Sequence, residues 1–111
     1  MIQRLFLNEA INQAMKSDMN SNHGAILVRR GKIVGKGYNR YVNSNCDKIF
    51  SIHAEVSAIK NALKKVHPDE LKMCELIIIR VNNENECLNS KPCENCSKII
   101  NMYNIRKVYH S

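Results

Sequence analysis

Two short clusters in the sequence carry residue types that bind metals and move protons. Cys93 and Cys96 stand three apart just after Pro92, and far upstream His53 stands two residues before Glu55. On a helix, a three-residue step puts both thiols on one side. At a helix N-terminus the dipole and the free N–H groups favour the thiolate. A Cys-x-x-Cys alone serves equally well as a redox pair, and a lone His is more often structural than a ligand. Together, His53, Cys93 and Cys96 make three ligands for zinc, with no fourth evident. Three protein ligands and an open position is the catalytic arrangement, whereas structural zinc is closed by four. Two thiolates and a neutral imidazole also balance the ion's charge. A water in the open position ionises near neutral pH, and Glu55, close by but not a ligand, can take its proton.

Glu55 also breaks the pattern of the helix expected over residues 52–66, which Pro68 stops. At about 100° per residue, Ala54, Val56, Ala58, Ile59, Ala62, Leu63 and Val66 form one apolar stripe. Ser57, Lys60, Asn61 and Lys64 take the opposite, wet face. Glu55 falls near the middle of the stripe, where a carboxylate without a partner is costly. Either it reaches water from a frayed first turn or it is aimed into a site.

Other elements must position these side chains. Residues 2–17 read as an amphipathic helix, with Ile2, Leu5, Phe6, Ala10 and Ala14 at three- and four-residue steps. Ser21 to Gly24 is a turn-prone cluster, and Ala25 to Val28 a short β-leaning run. Arg30-Gly31 can make a two-residue hairpin turn, with Lys32 to Tyr38 returning as the second strand, loosened by Gly35 and Gly37. Residues 40–51 read as a polar loop. Leu76 to Val81 is a near-continuous apolar run, as in a strand buried on both faces. Residues 82–91 form a polar loop, Pro92 opens a third helix to about Tyr103, and Ile105 to Tyr109 is a last strand. The order α-β-β-α-β-α-β, with right-handed crossovers in its second half, predicts a three-layer α/β/α sandwich. Its mixed sheet carries the N-terminal hairpin on one side.

The chain has 111 residues, 44% hydrophobic and 24% charged, with a net charge of +7. This fits one globular domain over 1–111 and excludes collagen-like, coiled-coil and disordered chains. The basic balance favours an anionic partner such as a nucleotide phosphate or a nucleic acid. No apolar run approaches the roughly 18 residues of a membrane span, and the N-terminus is too short an apolar run for a signal peptide. A cytoplasmic protein is expected. An odd count of five cysteines then suggests metal ligands or buried thiols rather than a disulfide framework.

His53-Ala54-Glu55 followed by Pro92-Cys93-Glu94-Asn95-Cys96 resembles the zinc signature of the cytidine deaminase superfamily. Gly24-Ala25 at the first strand and Gly37-Tyr38-Asn39 at the end of the second resemble the same family, so the likeness spans roughly residues 2–110. The resemblance implies one zinc ion per chain on His53, Cys93 and Cys96. It makes Glu55 the shuttle of protons between water, the ring nitrogen and the leaving ammonia. It makes Asn39 a contact to the sugar or base, and the backbone around Ala54 a contact to the base carbonyl.

The His-Ala-Glu form is similar to deoxycytidylate, free-base cytosine, tRNA adenosine and polynucleotide cytidine deaminases. Gly37-Tyr38-Asn39 leans toward the deoxycytidylate type, while Ser57, Ser90 and Lys91 depart from the commoner patterns. The first expectation is hydrolytic deamination of a cytosine nucleotide or nucleoside, CMP- or dCMP-like, at the C–N bond of a cyclic amidine. Arg40 and Lys48 are the candidate phosphate contacts. One alternative is a base within RNA or DNA, which needs a flipped or unpaired base and a basic path for the strand. Four Tyr and two Phe are few for stacking platforms, which puts that reading second. The other alternative, an inactive zinc-binding module, has no use for Glu55. Cys74 reads as a small core residue, while Cys46 and Cys87 lie in polar loops and are candidates to line the pocket. The family usually continues past the last strand with another helix, so the chain reads as shortened at the C-terminus. An uncovered sheet edge invites pairing, and a homodimer or larger homo-oligomer is expected.

Overall fold

The computed structural model describes residues 4–17, 19, 21–43, 49–82 and 86–111. Strands β1 (Asn22–Arg29) and β2 (Lys32–Tyr38) form an antiparallel hairpin with Gly24 opposite Tyr38 and Arg29 opposite Lys32. Arg30 and Gly31, at φ 49° and 78°, make the two-residue turn that needs positive φ at both positions. The other side of β1 pairs antiparallel with a later strand at Glu75–Val81.

Before that strand, residues 40–51 depart from the loop expectation. They hold β3 (Arg40–Asn43) and β4 (Ile49–Ile52), paired with each other as a separate small ladder. Helix α2 (Ala54–Leu63) follows directly, shorter than expected because Ile52 closes a strand and His53 is its N-cap. Pro68 ends the helical region but also opens a short 3-10 helix, Pro68–Met73. The strand Glu75–Val81 is β5, and β6 (Cys87–Leu88) pairs briefly with its far end. Helix α3 (Glu94–Met102) leads to β7 (Lys107–His110), which runs parallel to β5. The sheet order is therefore β2-β1-β5, with β6 and β7 sharing the outer side of β5.

Strand alternation divides the core into two layers. Ala25, Leu27, Leu76 and Ile78 face α2 and Ile100 of α3. Ile26, Val28, Ile77, Ile79 and Val81 face Ala10 and Ala14 of α1 (Arg4–Met15). Helices on both faces explain why β5 reads as an unbroken apolar run. Each fully buried Leu or Ile here contributes roughly 1.5–3 kcal/mol. The expected three-layer α/β/α sandwich is the observed architecture.

The glycines that loosen β2 in sequence have a packing role. A Cβ on Gly35 would lie 2.5 Å from the Ala58 carbonyl oxygen, and one on Gly37 would lie 2.4 Å from the Ala58 nitrogen. Bare backbone at both lets α2 sit directly on the strand, which sets where the start of α2 meets the sheet. Among the described residues, no helix is long and apolar enough to cross a membrane.

Candidate active site

The starts of α2 and α3 meet. His53 caps α2 with extended backbone, and its carbonyl oxygen accepts the Ser57 N–H at 3.0 Å. Cys93 caps α3, where its sulfur accepts the Cys96 N–H at 3.4 Å. The His53 Nδ1 lies 3.2 Å from Cys96 Sγ and 3.5 Å from Cys93 Sγ, and all three donor atoms fall within 4.8 Å of one another. A tetrahedral zinc site with Zn–N near 2.0–2.1 Å and Zn–S near 2.3 Å has ligand–ligand edges of about 3.5–3.8 Å. Two sulfurs and an imidazole at this spacing fit one zinc ion.

The electrostatics point the same way. The Cys96 side chain is buried, and burial, followed by the nearby Glu55 carboxylate, pushes its thiol above the ordinary range. The expectation that the helix N-terminus alone would lower it is thus corrected for Cys96: desolvation outweighs the dipole. A bound cation is what would make this sulfur a thiolate.

Glu55 lies in the first turn of α2, only 5% exposed, so the frayed, solvent-facing alternative does not hold. It shares a cavity of about 320 Å³ with His53, Cys93, Asn39, Ala54 and His23. Two larger hollows, of about 440 and 500 Å³, contain no such cluster of donors. The chemistry therefore sits in the smaller cavity.

The residues that build this site lie inside a recognisable sequence family. The model of the cytidine and deoxycytidylate deaminase zinc-binding region matches residues 2–111. The chain belongs to this family. It is 32% identical over 88 residues to the tRNA-specific adenosine deaminase of Aquifex aeolicus (strain VF5), covering 79% of this chain and 50% of that protein. The chain thus spans about half the length of that curated relative. Its fold resembles the dCMP deaminase from the cyanophage S-TIM5 at a TM-score of 0.63 and 23% identity, covering 98% of this chain and 84% of that one. It also resembles the guanine deaminase from Bacillus subtilis at a TM-score of 0.67 and 23% identity, covering 100% and 64%. Zinc is the metal of this family, and His53, Cys93 and Cys96 are the group here that could hold one ion.

Within this deaminase scaffold, Asn39 is buried and already engaged. Its Oδ1 accepts the His23 N–H at 2.8 Å, its Nδ2 donates to the Ser21 carbonyl oxygen, and its own N–H donates to the His23 carbonyl oxygen at 3.2 Å. It is not the left-handed turn residue that its type alone would allow. One Oδ1 lone pair stays available to a ligand.

Two residues were missed as site components. His23 falls in the expected turn, yet β1 extends through it, because pairing with β5 on one side overrides local turn propensity. Its Nδ1 lies 3.4 Å from Asn39 Nδ2. Burial lowers its pKa. The available signal was parity: His23 is in phase with Ala25 and Leu27, which face α2. Ser90 is the second. Its Oγ donates to the Ile78 carbonyl oxygen at 2.9 Å and accepts the Ser111 N–H at 2.9 Å, while its own N–H donates to the Ser111 carbonyl oxygen at 2.7 Å. The segment before Cys93 is thereby tied to β5 and to the end of β7.

The remaining candidates separate. Arg40 is exposed and lines a neighbouring groove rather than this cavity, whereas Lys91 is the cation on the cavity wall. Lys48 and Cys46 lie outside the described residues. Cys87 is exposed on β6 and does not line the cavity. Cys74 is buried, with its thiol on the Glu70 carbonyl oxygen at 3.5 Å.

Proposed function

We propose that this chain, as one domain over residues 1–111, is a zinc-dependent hydrolytic deaminase acting on the cytosine ring of a nucleotide or nucleoside. The observation that carries this reading is the burial of Glu55 (5% exposed) in the cavity lined by His53 and Cys93, two of the three donor residues. Among the described residues no Lys or Arg forms an ion pair with it. Such a carboxylate is costly to bury, and a zinc-binding module without activity would gain nothing from it.

His53, Cys93 and Cys96 would hold the zinc, which when bound supplies a Lewis acid that makes water a nucleophile near neutral pH. Glu55 takes a proton from the attacking water and passes it to the ring nitrogen as the new C–O bond forms. Glu55 then takes the proton of the new hydroxyl and gives it to the departing amine as the C–N bond breaks, leaving the uracil product and ammonia. The backbone N–H groups around Ala54 orient the base carbonyl, and the remaining Oδ1 lone pair of Asn39 accepts a sugar hydroxyl. The working form is a cytoplasmic homodimer or larger homo-oligomer, a state checked by light scattering on the purified protein.

Ammonia release from zinc-loaded protein tests the reading. The panel is cytosine, cytidine, deoxycytidine, their monophosphates, and short single strands containing C or A. Turnover on a cytosine compound supports it, and no turnover on any of them at full zinc content overturns it. A second reading, deamination of a base within a strand, is favoured by one observation, a basic groove beside the cavity.

A further inference from the structure

That groove has a volume of about 500 Å³ and follows the edge of β2 between α1 and α2. Its walls bring together Lys16, Lys36, Arg40, Lys60, Lys64 and Lys65, and no Asp or Glu lines it. Of these six cations only Lys36 has an ion pair among the described residues, with Glu9 at 3.4 Å. Part of this pattern has a local cause, because cations near the ends of α1 and α2 complement the helix dipoles. That cause does not reach Lys36 in β2 or Arg40 in β3. It also leaves Lys60 and Lys64 one turn apart, a like-charge spacing that is unfavourable by itself.

The groove and the catalytic cavity share no lining residue, but their linings are neighbours along the chain. Tyr38 and Arg40 line the groove and flank Asn39 of the cavity, and Ile52 of the groove precedes His53. From Ser57 to Leu63 the α2 wall runs roughly 9 Å, at 1.5 Å per residue, and Lys64 and Lys65 extend it past the helix end. One phosphate would be neutralised by one or two of these cations, so six spread along this length match a repeating anion. Tyr38 on the groove wall and Tyr41, next to Arg40 in β3 and 53% exposed, are rings on which bases can stack. A second copy of the chain is a poor occupant, since it would bring the same sign of charge.

We propose that this groove binds the sugar–phosphate backbone of a single nucleic-acid strand and delivers one of its bases to the catalytic cavity. The inference rests on the cavity being a nucleobase site, and it names the carrier of the base.

Binding, read without turnover, tests it. A labelled 12-nucleotide single-stranded RNA is titrated with the zinc-loaded protein by fluorescence anisotropy at several salt concentrations. For single strands log K falls with log salt by about 0.7 per phosphate neutralised, so a slope of about −3 to −4 is expected. The triple variant Lys60→Glu, Lys64→Glu, Lys65→Glu should bind at least about tenfold more weakly, with a slope shallower by about 2, and keep its zinc and its turnover of a free monomer. The milder set Lys60→Gln, Lys64→Gln, Lys65→Gln should shift both quantities in the same direction. A flat salt dependence, or unchanged strand affinity in both sets, overturns the groove. Binding to phosphatidylserine vesicles without binding to the strand overturns it as well. Turnover of free dCMP with no strand binding would sink this inference and leave the proposed deaminase intact. Strand binding by a protein without turnover on any substrate would do the reverse.

Discussion

Glu55 and His23 face the same cavity, and burial acts on each in a way that can be measured. Glu55→Ala removes the proposed proton carrier without touching a proposed zinc donor. Turnover should fall by at least about a hundredfold, the usual scale of general acid–base catalysis, while zinc content by atomic emission stays at one per chain. Thermal stability should hold or rise, because a desolvated carboxylate has been removed. Unchanged turnover would eliminate the shuttle. For His23, burial lowers the folded-state pKa below the unfolded value. The unfolded state then binds more protons, so stability is present above about pH 6.5, the ordinary imidazole value, and is lost as pH falls through the lower folded value. His23→Gln should flatten the decline of stability between pH 7 and 5 relative to the parent protein, in denaturant titrations. Both proteins share the acid lability of the zinc donors, so the difference reports His23; identical slopes would contradict it. The two residues differ in legibility. Glu55 stood out in the sequence because it interrupts a helical stripe, whereas His23 was hidden behind a turn-prone Ser-Asn-His-Gly run.

At the scale of elements, zinc would join two helix starts that make little other contact: the N-cap of α2 and the first turn of α3. Removing it should therefore loosen the fold as well as stop the chemistry. A chelator should lower the melting temperature of the parent protein. Cys93→Ala or Cys96→Ala should lose the metal and melt near the chelated value; full zinc in the double variant would rule out the site. Ser90 holds the approach to α3, and Ser90→Ala removes its hydroxyl's bonds to the Ile78 carbonyl oxygen and the Ser111 N–H, which keep only their own 3.1 Å bond to each other. A cost of about 0.5–1.5 kcal/mol per bond lost is expected, read by denaturant unfolding, with a drop in turnover if Cys93 moves. Full stability in that variant would show the Ser90–Ser111 contacts to be dispensable. The main elements were legible because their signals are periodic: the apolar run of β5, the Arg30-Gly31 turn, the α2 stripe. The ladder of β3 and β4 was not, since each strand has only four residues, too few for a period to show, even though Ile49, Phe50 and Ile52 make β4 largely apolar. Likewise Ser90 looked like a departure from a motif, because its bonds reach Ile78 and Ser111 across the fold. Helix starts were misjudged by one or two residues where the capping residues are themselves the zinc donors.

For the whole molecule, the excess of positive charge is not evenly spread. Six cations gather in the groove along β2, and Lys91 stands on the wall of the catalytic cavity. This arrangement separates two electrostatic effects that net charge alone merges. One phosphate on a free nucleotide meets the cavity rim, where a charge-assisted contact is worth on the order of 1.5–3 kcal/mol. The efficiency on dCMP should then exceed that on deoxycytidine by roughly ten- to a hundredfold at low salt. That gap should narrow as salt rises, because the contact is exposed. A strand engages several groove cations at once, so its efficiency should fall more steeply with salt than that of dCMP, in proportion to the phosphates neutralised. Measuring kcat/KM for deoxycytidine, dCMP and a short C-containing strand at three salt concentrations therefore orders the slopes: flat, shallow, steep. Lys91→Gln should reduce the step from nucleoside to nucleotide and leave the strand's slope nearly intact, whereas the groove substitutions should do the opposite. Equal efficiency on deoxycytidine and its monophosphate at low salt would remove the rim contact and leave Lys91 as a solvated side chain. A strand slope no steeper than that of dCMP would show that the groove cations take no part in delivering the base.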